Sequence, residues 1–256
     1  LQIVVYYSKI NKNSYTFIGG DYMRVVIDPG HGGYDPGGGS NAIWKEKDLT
    51  LRISRYQQQR FKDLGIPVFM TRDTDEFLTP AMRVDRINDL ADNDFAIMIS
   101  NHINNGGSKG AEVIYSIRNE PTLPNMIAEE FRARGQNVRN VYTRTNYAGK
   151  DYYFVIRGAK DNIEPMIIEY GFADNPEDQQ ILMNNWSNLA EGVVKAIAEY
   201  TGTSYSKPKV IIHRVTQGES LYTIANQYNT TVQKIKDDNG LTSNNLKIGQ
   251  ELSIYP

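Results

Sequence analysis

The stretch Val25-Val26-Ile27-Asp28-Pro29-Gly30-His31-Gly32-Gly33 (VVIDPGHGG) passes from an apolar run into a glycine-rich loop that carries a histidine. The chain has only three histidines, and one placed there is either a simple turn residue, part of a phosphate cradle or a metal ligand. A phosphate-cradling loop does not fit. A P-loop needs a Lys-Ser or Lys-Thr after its last glycine, and none follows here. Gly30-x-Gly32 leads to Asp35 where a dinucleotide fingerprint wants a small residue. Gly37-x-Gly39-x-x-Ala42 matches that loose pattern but lies well beyond the end of the strand. A plain turn residue and a metal ligand at the carboxyl end of a strand are the readings that remain, and His31 alone does not decide between them.

Working outward, Arg24–Asp28, Val68–Thr71, Phe95–Ser100, Ala111–Ile117 and Met166–Tyr170 read as short buried strands. Glu46–Leu64 carries Leu49, Ile53, Tyr56 and Leu64 on one helical face and stops at Gly65. Pro80–Leu90, Pro124–Arg134 and Asn188–Tyr200 read as further helices. This alternation predicts an α/β fold whose sheet is twisted, mostly parallel and flanked by helices.

At 256 residues with net charge −2, the chain has no electrostatic footprint for nucleic acid or an anionic membrane. With no cysteine, disulfides and thiolate metal sites are excluded, which fits an oxidising or extracellular workplace. No apolar run approaches the ~20 residues of a membrane span. Residues 1–22 are set apart as an N-terminal extension: an edge strand, the stub of a removed anchor, or sequence upstream of the true start. Its apolar run Leu1–Tyr7 is too short for an export signal. The polar stretch TGTSYSKPK at Thr201–Lys209 marks a boundary. The expected organisation is a catalytic domain at 23–201, a linker at 202–209 and a small module at 210–256.

His31 and His102 both fall at the carboxyl ends of predicted strands, where open α/β sheets collect ligands, and Glu46 opens the helix returning from that edge. Two imidazoles and a carboxylate leave one tetrahedral position open, as in a catalytic zinc site. Glu169 interrupts the apolar strand Met166–Phe172. A carboxylate there is costly unless it is paired or works as a general base. Arg157 is a candidate for a substrate carboxylate or the oxyanion, or else a plain strand-end charge. No strained G-x-S-x-G elbow is present to support a serine nucleophile.

The stretches VVIDPGHGGYDPG, EKDLTL, TRDTD, SNHINN, GAEVIYS and PMIIEYGFADN, with the Arg83 to Asn88 spacing, occur in one order over residues 23–201. In this the chain resembles the zinc-dependent N-acetylmuramoyl-L-alanine amidases of the Amidase_3 type. The resemblance implies the phosphorylase/hydrolase-like amidase sheet, zinc on His31, Glu46 and His102, and Glu169 as catalytic residue. It implies cleavage of the amide between the muramic acid lactyl group and L-alanine of peptidoglycan. Asn101 departs from the pattern, standing where an apolar residue usually precedes the ligand histidine. From His213 onward the chain resembles a LysM repeat, a small βααβ domain that binds N-acetylglucosamine-containing glycans. Leu221, Ile224, Ala225 and Tyr228 form one helical stripe there, and His213 reads as a strand residue.

The expected protein is a monomeric cell-wall hydrolase held on its polymer by the LysM module. An autolysin, a sporulation or mother-cell lysis enzyme and a phage endolysin all fit that description. The rival readings are a different zinc hydrolase of the wall (an endopeptidase or deacetylase) and a non-catalytic glycan-binding protein.

Overall fold

The computed structural model describes residues 23–228 and 230–254; the extension expected at residues 1–22 lies outside them. In chain order the larger unit runs β1 (Arg24–Pro29), α1 (Glu46–Asp63), β2 (Val68–Met70), α2 (Pro80–Ala91), β3 (Ala96–Asn104), β4 (Ala111–Tyr115), α3 (Thr122–Ala133), β5 (Val138–Tyr142), α4 (Phe154–Arg157), β6 (Ile163–Phe172) and α5 (Pro176–Tyr200). The strands form one six-stranded sheet in the order β2-β1-β3-β6-β4-β5. Neighbours pair in parallel except β4 with β6, which run antiparallel. The mostly parallel sheet read from the sequence is the sheet observed.

Alternation along the central strands divides the core. Val25 and Ile27 face a cluster with Leu49 and Ile53 of α1, Ile127 and Phe131 of α3, and the length of α5. Val26 and Met98 face the other way, onto Ile87 of α2 and Val155 and Ile156 of α4. Both faces of β1, β3 and β6 are thus buried for most of their length, which is why these strands read as largely apolar runs.

Several elements differ from expectation. β3 extends to Asn104, so His102 lies inside the strand instead of two residues beyond it. α5 begins at Pro176, far ahead of Asn188, because the Asn175 side chain accepts from the main-chain N–H groups of Glu177 and Asp178 and proline occupies the first turn. β5 went unread: it is an edge strand, half exposed along its length. Asn101 is buried in a polar cluster, donating to Ser54 Oγ at 2.8 Å and Gln57 Oε1 at 2.7 Å and accepting from the Tyr170 hydroxyl at 3.2 Å. Its amide is therefore satisfied on the face away from the cleft.

The small unit pairs β7 (Ile211–Arg214) antiparallel with β8 (Glu251–Ile254) around α6 (Leu221–Gln227) and α7 (Val232–Asp238). Its own core contains Val215, Leu221, Ile224, Ile235 and Leu252. His213 sits on β7, between the Tyr228 hydroxyl and Glu219, each at 3.0 Å. The segment between the units is not free throughout. The Tyr205 hydroxyl donates to Glu191 at 2.8 Å, and Arg60 donates to the Ser206 carbonyl at 2.7 Å.

A pH dependence follows from β6. Glu164, 4% exposed, accepts from the Tyr200 hydroxyl at 3.0 Å. Burial pushes its pKa up to about 7, offset in part by that hydrogen bond. Between its ordinary value and about 7 the folded chain holds a proton that the unfolded chain has lost, so this group lowers stability as pH rises through that window. Glu164→Gln keeps an acceptor for Tyr200 and removes the titration. It is expected to be ~1–3 kcal/mol more stable than the parent at pH 8, with the difference vanishing near pH 4. Urea unfolding of both proteins at the two pH values checks this.

Candidate metal centre

His31 follows β1 in a loop whose backbone turns sharply, and its own φ is +60°, an uncommon conformation for a residue with a Cβ. The conformation is held from beneath. Arg83 donates 2.9 Å to the His31 carbonyl, 2.7 Å to the Pro29 carbonyl and 2.6 Å to Asp28. Arg72 donates to the carbonyls of Pro29 and Gly30 at 3.1 and 2.8 Å. The imidazole is oriented from the side, with Nδ1 2.7 Å from Asp35 Oδ2. With Nδ1–H donated to Asp35, Nε2 faces Glu46 Oε2 at 3.2 Å and is the nitrogen that a cation would take in place of a proton.

Glu46, 2% exposed, stands at the first turn of α1. Its carboxylate accepts from the N–H groups of Gly39 at 2.7 Å and Ile103 at 2.9 Å. His102 Nδ1 lies 3.1 Å from Glu46 Oε1. One ligand atom from each of His31, Glu46 and His102 falls within 4.8 Å of the others. Tetrahedral zinc places its donors ~2.0–2.1 Å from the ion and hence ~3.3 Å apart, close to the two Glu–His separations. The surrounding glycines fit the same purpose. A Cβ at Gly37 would stand 2.3 Å from Glu46 Oε2, and one at Gly30 would stand 2.4 Å from His102 Cε1. Two neutral-capable imidazoles, one carboxylate and a pre-oriented tautomer fit a divalent cation with an open fourth position.

The electrostatics agree. Burial drives the Glu46 pKa up, but hydrogen bonds and charge from His102 and His31 outweigh it and hold the carboxyl well below the usual range. Burial lowers His31, while Glu46 and Asp35 raise it further, to about 9. The pocket is thus strongly disposed to hold positive charge beside Glu46.

Glu169 on β6 is the register partner of His102 on β3 and of Glu112 on β4. It lines a cleft of about 460 Å³ together with His31, His102, Tyr153 and Phe77. Its Oε2 is buried and has no hydrogen-bond partner in the protein. Burial is the chief reason its pKa rises to about 7; the His102 charge pulls it down and Glu46 and Glu112 push it up. A carboxylate so placed can take and return a proton near neutrality.

The structure brings His31, Glu46, His102 and Glu169 together, and it leaves Arg157 apart from them. Arg157 is not the end of a strand but of the short helix α4, exposed, donating to the main-chain carbonyls of Asp151 and Tyr152 at 2.8 and 2.6 Å. Sequence reasoning missed Asp35, Asp28 and Arg83. Asp35 had a usable signal, standing four residues after His31 across a glycine pair.

Comparison with known proteins points the same way. Residues 25–199 match the family model for N-acetylmuramoyl-L-alanine amidase, and residues 213–254 match the LysM domain. The chain is 26% identical to the probable cell wall amidase LytH of Staphylococcus aureus, over 69% of this chain and 57% of that one. Among solved structures it superposes on Cwp6 from Clostridium difficile with TM-score 0.63 and 29% identity, covering 70% of this chain and 29% of that one. With the N-acetylmuramoyl-L-alanine amidase AmiC2 of Nostoc punctiforme the TM-score is 0.61 at 25% identity, covering 72% of this chain and 98% of that one. The chain thus spans little more than half of LytH and under a third of Cwp6. No helix among the described residues is long and apolar enough to cross a membrane.

The metal centre gives a direct test. Affinity for zinc, measured by competition with a chromophoric chelator, is expected to be lost in His31→Ala. It should weaken ~10–100-fold in Asp35→Asn, which removes only the orienting charge. Far-UV circular dichroism should be unchanged in both, because the sheet has its own core. Undiminished zinc in His31→Ala would remove that residue from the ligand set.

Proposed function

The chain belongs to the N-acetylmuramoyl-L-alanine amidase family and carries a LysM domain, and from that premise we propose how it works and what it works on. It hydrolyses the amide that joins the lactyl group of N-acetylmuramic acid to L-alanine in peptidoglycan. His31, Glu46 and His102 are the ligands of one zinc ion, Glu169 is the general base, and the catalytic unit spans residues 23–201. Residues 202–209 lead to a LysM unit at 210–256 that binds N-acetylglucosamine-containing glycan. The observation that carries the reading is the placement of Glu169, partnerless in a cleft, beside the convergent His31–Glu46–His102 triad.

A zinc ion held there supplies Lewis-acid polarisation of the scissile carbonyl and lowers the pKa of water towards ~7. The rest is done by side chains of this protein. Glu46, fixed by two main-chain N–H groups, keeps the centre's geometry and offsets its charge. Asp35 holds the His31 ring in one tautomer. Glu169 accepts a proton from the attacking water as its oxygen bonds to the lactyl carbonyl carbon. The same carboxyl then protonates the departing nitrogen as the C–N bond breaks. The products are a free lactyl carboxylate and the amine of L-alanine. Burial raises the Glu169 pKa, which strengthens the carboxylate as a base. The non-catalytic reading is disfavoured by the same residues, because a binding protein has no use for a half-buried carboxylate whose inner oxygen lacks a partner.

Glu169→Gln keeps the size of the side chain and removes the base. Zinc content is expected to stay at the parental level while release of L-alanine amino termini from purified cell walls falls ~10²-fold or more. Near-parental turnover would place the base elsewhere.

The LysM unit acts by raising the local concentration of the catalytic cleft on an insoluble polymer. Removal of residues 210–256, which keeps Tyr205 and Ser206 on the catalytic unit, is therefore expected to weaken sedimentation with cell walls and to slow their digestion several-fold. The rate on a soluble muramyl peptide should stay within about twofold, since one short substrate cannot engage both units. Loss of soluble activity with fold and zinc intact would show instead that the module helps to build the cleft.

A further inference from the structure

Two aromatic rings on the rim of the cleft serve neither the metal centre nor the core. Tyr34 stands at the tip of a tight hairpin closed by mutual main-chain hydrogen bonds of 3.1 Å between Gly32 and Asp35. It is 79% exposed, and its ring lies on Phe77 with centroids 4.1 Å apart and planes 25° from parallel. Phe77 itself lines the cleft alongside His31 and Glu169.

The tip is clamped. Asp75 accepts from the Gly33 N–H at 2.8 Å, and Lys47 donates 2.6 Å to both the Gly33 carbonyl and Asp75. A Cβ at Gly33 would stand 2.8 Å from the Phe77 Cβ, so the hairpin backbone lies directly against that residue. A ring this exposed gains little by burial, yet four other residues fix its position. Such an arrangement keeps one flat apolar face open to a ligand at a set distance from His31.

Charge selects the ligand. The charges along this rim are already paired: Asp75 with Lys47, and Glu76 with Arg86 at 2.8 Å. Next to Tyr153, which also lines the cleft, the exposed Arg144 lies over the Tyr152 ring at 4.0 Å. On the amidase reading, which this inference rests on, the scissile amide has a neutral amino-sugar ring on one side. On the other it has a stem peptide bearing free carboxylates. The paired, aromatic rim suits the sugar and the cationic rim suits the peptide. We propose that the Tyr34–Phe77 stack is a saccharide subsite of the catalytic unit, separate from the LysM module. It receives the C–H face of the N-acetylmuramyl ring on the open face of Tyr34.

The test compares two soluble substrates on the full chain loaded with zinc. One is a muramyl peptide; the other is the same peptide acylated by an O-alkyl lactyl group with no sugar. In the parent, kcat/KM is expected to favour the muramyl peptide. Tyr34→Ala should reduce that preference ~3- to 10-fold, the loss falling on KM, and Tyr34→Phe should restore it. Zinc affinity is measured in each variant, so an effect passed through His31 would be seen there. An unchanged preference in Tyr34→Ala, or an equal loss on both substrates, overturns the subsite. Failure of the amidase reading looks different, since the parent then cleaves neither substrate. Saturation-transfer NMR with N-acetylmuramic acid decides the subsite in that event. Transfer to the ring protons that drops in Tyr34→Ala supports it, and transfer equal in parent and variant overturns it.

Discussion

Asp28 is a carboxylate with no access to solvent, and the cleft is assembled around its need for partners. It accepts from Thr71 Oγ1 at 2.6 Å, Arg83 at 2.6 Å and Ser100 Oγ at 2.7 Å. These come from the chain just past β2, from α2 and from β3, so one buried charge draws three elements to the end of β1. Leaving such a charge without its cation costs ~3–5 kcal/mol, a large share of a domain's net stability. Arg83 spends its remaining donors on the carbonyls of Pro29 and His31. The left-handed backbone at His31 costs ~1–2 kcal/mol by itself and persists because this network determines it from below. His31 thus owes its position to a buried carboxylate three residues away.

Much of this was legible in the residues, for definite physical reasons. β1, β3 and β6 are buried on both faces for most of their length, so their sequences are largely apolar, and the few polar residues within or just after them stand out. His31, His102 and Glu169 could be read for that reason. The direction of β4 could not. Glu112-Val113-Ile114 carries no mark of whether it runs with or against β6, and parallel was the natural reading of the helix–strand alternation. β5 was invisible because an edge strand has no need of a full apolar face, and Val138-Arg139-Asn140-Val141-Tyr142 has none. The early start of α5 was in principle readable from Asn175-Pro176-Glu177-Asp178, a capping sequence. The polar turns after it hid the helix, since only its later half is continuously buried. Arg157 is the opposite case: a charged residue beside an apolar stretch drew attention, while its guanidinium serves its own loop.

The interval between the two units was read as a flexible linker because it holds Gly, Ser, Pro and Lys. Composition gave no sign of Tyr205, whose ring packs on the catalytic core and whose hydroxyl reaches Glu191. One aromatic residue in a polar stretch is enough to fasten it when a buried acceptor lies within reach. Glu191 also accepts from Arg60 at 3.0 Å and from the Tyr56 hydroxyl at 3.0 Å, so α1, α5 and the linker meet at one carboxylate. The interval is therefore fastened to the catalytic unit at Tyr205 and Ser206, and the LysM unit itself meets α1, where Arg52 lies 3.5 Å from Asp237.

The antiparallel pairing that the sequence concealed also shapes the chemistry. In an all-parallel sheet, the carboxyl end of β6 would be flanked by the carboxyl ends of both neighbours. Because β4 runs the other way, its beginning lies there, and Glu112 becomes the register partner of Glu169. Glu112 is itself anchored, by an ion pair with Arg139 and a 3.1 Å hydrogen bond from Asn104. It therefore stays beside Glu169 without competing for the same proton donors. Burial does most to raise Glu169, and the neighbouring acids Glu46 and Glu112 add to it. A carboxylate flanked only by His102 would sit lower and would be a weaker base. The strand reversal thus sets Glu112 beside Glu169, where it adds to the larger effect of burial.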